Sequence, residues 1–419
     1  MANGHAPSVP PLIPGRKIEE PFVGQLREVV ADLLERNTTR FAGAQPVSFA
    51  RQHLSEIQRS DYFVCEKTDG IRVLLFLYYT PDLEPVTFFI DRKNDFYEVT
   101  PPLRIPYHAL PDDDDKFLYN TILDGELVHN QHEGEAHPRL IYYTFDCLVL
   151  DGSPKLWLRP YEKRLAYMNS KVIQVKKASE KTAAAQGRPR PPFEITEKQN
   201  YNTYRVKMVL KEVLPKLPHG NDGLIFACKN TPYVFGTDDH ILKWKPAHEN
   251  TIDFKLRLGK FPEVMPPDGS EPYTDWDAKP DRFELLVQHD RRDYRAWDNL
   301  AVSDKEWEEL KGLEERLDGR IIECYREDVS GQWKYKKDGT APRWRDDKQD
   351  ANHISTVNKV LASIKDPVTE AELVASQEET LRRRERDLAK QGQVSAPPPG
   401  WQSAEHADKK RKFSEVNGH

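Results

Sequence analysis

Apolar residues recur at helical spacing at Leu26, Val29, Val30, Leu33 and Leu34, which predicts a packed amphipathic helix as the first ordered element after a proline-rich start. From residue 62 to 150 the texture changes to short apolar runs, at 62–65, 73–79, 86–90, 122–128 and 140–150. Prolines and acidic turns separate them, as expected of a mainly antiparallel sheet system. Helical spacing returns over 161–172 and again at Val206, Val209, Leu210, Val213 and Leu214. Between these lies KKASEKTAAAQGRPRPP (176–192), whose polar, small-residue composition predicts a mobile insertion. Strand signals resume at 223–228 and 241–245. Past Phe254, prolines and acids lead into short apolar runs at 283–287, 320–325 and 333–336, which suit a small five-stranded barrel. Ile354, Val357, Leu361 and Ile364 share one helical face, 370–390 is helical in pattern, and the chain through Ala396 to Gly400 is expected to be disordered.

A chain of 419 residues exceeds one comfortable core, so two folded units with tails are expected. The texture divides it into a flexible start (1–14), a first unit (15–249), a barrel unit (250–350), a helix packing back on the first unit (351–366) and a charged, partly disordered tail (367–419). The class is α+β: antiparallel sheets with flanking helices, then a β-barrel. A net charge of −6 gives no overall attraction to nucleic acid, so any polyanion must be met by a local basic cleft. Cys65, Cys147, Cys228 and Cys324 form no Cys-x-x-Cys pair, which indicates neither a zinc site nor a disulfide scaffold and suits a reducing compartment. The start lacks the regions of a signal peptide, and no apolar run is long enough to cross a membrane, so an intracellular location is expected. The acidic run Asp112 to Asp115 reads as a solvated loop.

Against this background one stretch stands out. In CEKTDGIR, Cys65 to Arg72, a lysine sits between acids and a glycine immediately before the apolar run 73–77. A lysine held partly out of water has its charged form disfavoured and can act as an amine nucleophile. Downstream, Asp124-Gly-Glu126, Tyr143-Thr-Phe-Asp146 and Asp222-Gly-Leu-Ile-Phe226 place acids on or at the ends of apolar runs, and Lys243-Trp-Lys245-Pro246 closes another. Such acids suit a ribose hydroxyl or a magnesium ion, and lysines two apart on a strand point to one face, where phosphate can be met. Taken singly, each string also reads as an ordinary turn, core residue or solvated charge.

In order, KTDGIR, FFIDR, LDGELV, YYTFDCL, DGLIFA and LKWKP resemble the motif series of the covalent nucleotidyltransferases. The stretch from Gly43 to Phe49 (GAQPVSF), VCEKTDGIR, LKWKPAHENTIDFKL from Leu242 to Leu256, and RWRDDK from Arg343 to Lys348 look like the messenger-RNA capping guanylyltransferases of the fungal type. The resemblance runs from Gly43 to Lys359 and implies a nucleotidyltransferase domain followed by an OB-fold barrel. It implies that Lys67 attacks the α-phosphorus of GTP, that GMP remains on its nitrogen, and that the 5′-diphosphate end of RNA then takes the GMP. It also implies that Arg72, Lys243, Lys245 and a Mg2+ or Mn2+ ion surround that amine and spread phosphate charge, while Arg345 and Lys348 orient the leaving pyrophosphate. Glu66 and Glu126 match nucleotide-binding positions, Glu126 at the ribose. Phe145 matches the base-stacking aromatic and Arg92 a ribose or phosphate arginine. Asp222 matches an acid near the metal, Asp253 a residue close to the phosphates, and Lys198 the base-reading lysine, whose ammonium donates to guanine O6.

An ATP-dependent polynucleotide ligase shares the lysine motif and is the enzymatic alternative. A non-catalytic RNA-binding barrel protein, with Trp333-Lys-Tyr-Lys336 as a single-strand platform, is the other. The partners that the resemblance implies are an RNA 5′-triphosphatase subunit and the phosphorylated C-terminal tail of RNA polymerase II. The basic cluster Lys409 to Lys412 reads as a nuclear localisation signal.

Overall fold

Val73, Leu74, Leu75, Phe76 and Leu77 are all buried. Because strand side chains alternate, Val73, Leu75 and Leu77 enter one core while Leu74 and Phe76 enter another. An unbroken apolar run is what a central strand covered on both faces requires, and the first unit is layered around it. The structure is a computed structural model that describes residues 9–390 apart from 81, 108–116, 133, 154, 186, 188, 247, 248, 268, 292, 328 and 347. The acidic run 112–115, the proline stretch 396–400 and the basic cluster 409–412 lie outside the described residues.

The first unit begins with β1 (Arg16–Lys17), α1 (Phe22–Leu33), β2 (Ala44–Ser48), α2 (Gln52–Arg59), β3 (Tyr62–Thr68), β4 (Ile71–Tyr79), β5 (Pro85–Ile90) and β6 (Phe96–Glu98). It continues with β7 (Thr121–Asn130), β8 (Arg139–Val149), α3 (Tyr161–Met168), α4 (Gln174–Ala185), β9 (Glu194–Glu197), β10 (Tyr201–Asn202), α5 (Val206–Met208), β11 (Asn221–Cys228) and β12 (Gly236–Trp244). These strands make a seven-stranded sheet, β1-β6-β5-β4-β7-β8-β9, and a five-stranded sheet, β10-β3-β11-β12-β2. Pairing is antiparallel except for β8 with β9 and β12 with β2. The two sheets are joined directly at the turn between β3 and β4. There Gly70 lies so close to β7 that a Cβ would stand 2.5 Å from the Leu127 carbonyl oxygen, so the turn of the lysine motif is pressed onto the neighbouring sheet.

The second unit comprises β13 (Thr251–Leu258), β14 (Glu263–Val264), β15 (Tyr273–Thr274), β16 (Phe283–Asp290), β17 (Asp293–Asn299) and α6 (Asp304–Lys311). Then follow β18 (Ile321–Arg326), β19 (Trp333–Tyr335), β20 (Lys337–Asp338), β21 (Ala341–Pro342) and α7 (Ile354–Lys365). Its main sheet runs β17-β16-β13-β18-β19. Among the described residues the edges meet at a parallel bridge between Leu300 and Trp333, with no paired ladder closing the sheet, which is rolled in the OB manner. Ser303 caps α6 through a capping box with Glu306.

Three expectations are corrected. Residues 176–192, expected to be a mobile insertion, are helical as far as Ala185. The α3 helix runs on through a wide turn over 169–173 into α4, Val172, Ile173 and Val175 are buried, and Lys176 pairs with Glu180 at 2.7 Å one turn on. The stretch 351–366, expected to pack back on the first unit, does touch β2 of that unit, but it places Val357 in the core of the second. The apolar anchor on the first unit comes later, from Val368 and from Leu373 of α8 (Glu370–Lys390), inside what was expected to be tail: both are buried with Phe49, Phe226 and Trp244 of the first unit. Trp244 Nε1 donates to the Val368 carbonyl at 2.8 Å, and Arg51 pairs with Asp366 and Glu372 at 2.9 and 2.7 Å. The apolar residues that dock this segment are few and widely spaced, so a charged composition hid them.

Candidate active site

Lys67, near the end of β3, is partly exposed, and its Nζ lies 2.6 Å from Asp222 Oδ1. Asp222 comes from β11, the next strand of the sheet, and its other oxygen lies 2.6 Å from Lys245 Nζ. Burial pushes the Asp222 carboxyl up, but Lys67 and Lys245 outweigh it and bring it down to about 2. At the following residue φ is +142° and a Cβ would stand 2.1 Å from the Trp244 carbonyl oxygen, so Gly223 lets β11 and β12 approach closely enough for one carboxylate to bridge both lysines.

Lys243 lies on β12, two residues before Lys245, which follows the strand's end. It is half-buried, and among the described residues no hydrogen bond or ion pair holds its ammonium. Burial, together with the positive charges of Lys245, Lys67, Arg92 and Lys348, lowers its pKa to about 8. Because the folded value lies below the ordinary 10.5, the charged lysine costs stability below about pH 8, and that cost is relieved as pH rises from about 8 to 10.5. Lys243→Met is therefore expected to raise stability at pH 7 by on the order of 2 kcal/mol and to flatten its dependence on pH over that window, read by denaturant unfolding. Equal slopes for the two proteins would contradict the assignment.

A second group of side chains lies at the β8 and β9 side. Lys198 is buried, its backbone N–H donates to the Thr144 carbonyl at 2.8 Å, and its Nζ donates to Thr68 Oγ1 at 2.6 Å and lies 3.8 Å from Glu66 Oε1. Burial would lower the Lys198 pKa, but Glu66 and then other neighbours outweigh it and raise it. Its Nζ is 5.8 Å from the centre of the half-buried Phe145 ring. Glu126, from β7, accepts the Gly70 N–H at 3.1 Å, and burial pushes its carboxyl up against the pull of Lys198, Lys67, Arg92 and Arg72. Thus a ring and a charged donor stand on one side of Lys67, and a group of cations on the other.

The second unit faces the same cleft. Arg345 Nη1 lies 3.1 Å from Asp253 Oδ1, and Lys348 also pairs with Asp253, a buried acid on β13. Asp253 was expected close to the phosphates; here it holds the two cations in place, and the charge of Lys348 reaches Lys243. Arg343 Nη2 crosses to Asp69 in the lysine motif, 3.3 Å from its carboxylate.

Arg72 is placed differently from its expected role beside the reacting amine. Its side chain is only 10% exposed, with Nε 3.0 Å and Nη2 2.5 Å from the two oxygens of Asp124, and Nη1 donates to the Ala44 carbonyl at 2.6 Å. Tyr233 donates to the same acid at 2.5 Å and accepts the Ala44 N–H at 2.7 Å. The guanidinium is 5.2 Å from the centre of the Phe145 ring, so Arg72 supports the aromatic from within the protein. Arg92 is exposed in the turn after β5, and its charge acts on both Glu126 and Lys243. Asp146 is likewise structural, paired in the core with Arg164 at 2.7 Å. Sequence reasoning missed Thr68, the Asp69–Arg343 link and the use of Asp124. Register in the folded sheets decides all three, and no local signal marks them.

Among the described residues no three His, Cys, Asp or Glu side chains converge as a metal cage. Asp222 and Glu126, the acids whose charges interact with Lys67, are the carboxylates that would hold a divalent ion beside it.

Comparison with known proteins adds to this geometry. Residues 11–247 match the family model for the mRNA capping enzyme, catalytic domain, and residues 249–374 match that for the mRNA capping enzyme, C-terminal domain. The chain is similar to a Neurospora crassa protein, 40% identical over 379 residues covering 87% of this chain and 90% of the relative. A Yarrowia lipolytica protein is 41% identical over 372 residues, covering 87% and 89%. One from Saccharomyces cerevisiae is 37% identical over 411 residues, covering 88% and 85%. All three relatives carry the name mRNA-capping enzyme subunit alpha.

Proposed function

The chain belongs to the mRNA capping enzyme family, and from that premise we propose that it is a GTP–RNA guanylyltransferase working through a lysine-bound GMP on Lys67. The observation that carries the reading is Lys243, whose ammonium has no acidic partner among the described residues and lies amid the charges of Lys245, Lys67, Arg92 and Lys348. A triphosphate supplies the negative charge that Lys243 lacks.

In the first step the Lys67 nitrogen attacks the α-phosphorus, a P–N bond forms and the bond to pyrophosphate breaks. A paired ammonium has no lone pair to give, so attack begins with Lys67 leaving Asp222 and losing a proton to solvent. Lys243 and Lys245 meet phosphate oxygens, and Arg345 with Lys348, presented by Asp253, meet the departing pyrophosphate. Phe145 stacks on the base and Glu126 receives the ribose. Glu66 positions Lys198, which donates to the base together with Thr68. A Mg2+ or Mn2+ ion held at Asp222 would neutralise charge developing on the phosphate oxygens. In the second step a terminal phosphate oxygen of 5′-diphosphate RNA takes the guanylate, and the P–N bond breaks.

Incubation with labelled nucleotide and magnesium tests the reading: one guanylate per chain from GTP and none from ATP is expected, whereas label from ATP alone would establish the ligase reading. Lys198 is the donor that sets this choice, because an ammonium satisfies guanine O6 and cannot accept from the adenine amine. Lys198→Ala is expected to reduce the preference for GTP by roughly 10- to 100-fold, read as the ratio of adduct rates. Undiminished selectivity would remove Lys198 from that role. The acceptor RNA, a separate 5′-triphosphatase subunit, the phosphorylated tail of RNA polymerase II and a nuclear location complete the proposal.

A further inference from the structure

A basic cavity of about 540 Å³ opens beside the cleft, lined among others by Arg40, Phe41, Gln45, Arg92, Lys93 and Asn94. Its walls are built. Asp91 Oδ1 accepts the N–H groups of Lys93 and Asp95, both at 2.9 Å, which folds the turn so that Arg92 and Lys93 are exposed. Asn94 Nδ2 donates to the Thr39 carbonyl at 2.6 Å and ties that turn to the opposite wall, where Arg36 donates to the Arg40 carbonyl at 2.7 Å. Gly43 and Gly236 also line the cavity, at the start of β2 and β12. The Arg40 guanidinium and the Lys93 ammonium have no acidic partner among the described residues, and neither has a part in the nucleotide chemistry above.

Resting on the guanylyltransferase reading, we propose that this cavity binds the backbone phosphates of the acceptor RNA just behind its 5′ end. In-line chemistry fixes the direction. Pyrophosphate leaves opposite Lys67, and the acceptor oxygen must arrive opposite the same nitrogen, so it enters where pyrophosphate departed, by Lys348, whose charge reaches Lys243. An oxygen of the terminal RNA phosphate then forms a P–O bond to the guanylate while the P–N bond breaks and the lysine takes up a proton. The chain behind that phosphate needs a cationic wall beginning at Lys243. Arg92 supplies the join, since it lines the cavity and its charge acts on Lys243.

The double variant Arg40→Ala, Lys93→Ala tests this, both side chains being exposed. Guanylate formation on Lys67 from GTP should proceed at the unmutated rate, as should transfer to a nucleoside diphosphate, which has no chain behind its phosphates. Transfer to diphosphate-ended RNA of about ten nucleotides should show a KM raised about ten-fold for the loss of two charge-assisted phosphate contacts. The slope of log KM against log salt should become shallower by roughly 0.7 per contact removed, as for single strands. Unchanged RNA transfer would overturn the proposal, and so would a raised KM for GTP in the first step, which would give the cavity to the donor nucleotide. Adduct formation by the unmutated chain in the same series tests the guanylyltransferase reading by itself.

Discussion

Lys67→Arg is expected to abolish the protein-bound guanylate, lowering its rate of formation roughly 10⁴-fold or more, while leaving the fold intact. Arginine keeps a positive charge within reach of Asp222, so the pairing seen at 2.6 Å has a substitute. It does not deprotonate at working pH, so it offers phosphorus no lone pair. Lys67→Ala should be equally inactive and cost at most about 1 kcal/mol of stability, since the pair is partly exposed and Asp222 keeps Lys245. Mass spectrometry after incubation with GTP and magnesium reads both variants. A guanylate that persists in the arginine variant would place the nucleophile elsewhere.

The second large effect concerns stability. Asp124→Ala should destabilise the protein by about 3–5 kcal/mol, because it leaves the buried Arg72 guanidinium without its carboxylate. The acid is fully buried and bound by Arg72 and Tyr233 together. Arg72→Met should cost a similar amount by leaving the acid uncompensated, whereas the double variant Arg72→Met, Asp124→Leu should cost much less than the sum. Denaturant unfolding at pH 7 measures all three. A small loss in the single variants, together with a loss of first-step rate, would return Arg72 to the reacting amine, where its position in the motif had suggested it belonged.

That pair shows where the sequence stopped informing. Strands and helices with a strong apolar period were legible, as were the order of the motifs and the residues they contain. Lys67, Asp222, Lys243 and Lys245 meet because the first motif and the last two of the series lie on or at the ends of β3, β11 and β12, adjacent in one sheet. Short strings do not disclose which cation answers which acid. Arg72 and Lys67 are five residues apart, yet the turn at Gly70 sends one into the core under Phe145 and leaves the other at the cleft. The register of β4 on β7 sets Leu74 opposite Asp124 and Arg72 opposite Glu126, a matter of sheet pairing that composition does not record. The helix over 174–185 was missed for another reason: its residues are helix formers with little to bury, so the polar texture resembled a loop.

The late return of the chain has a consequence for biosynthesis. Residues 251–364 supply a core of their own, so the ribosome delivers that piece as a unit able to collapse when its last helix emerges. The earlier piece is not so placed. Phe49, Phe226 and Trp244 wait for Val368 and Leu373, which are translated more than a hundred residues after Trp244. Until then an apolar face of the nascent protein stays uncovered, a condition that favours chaperone capture over early release.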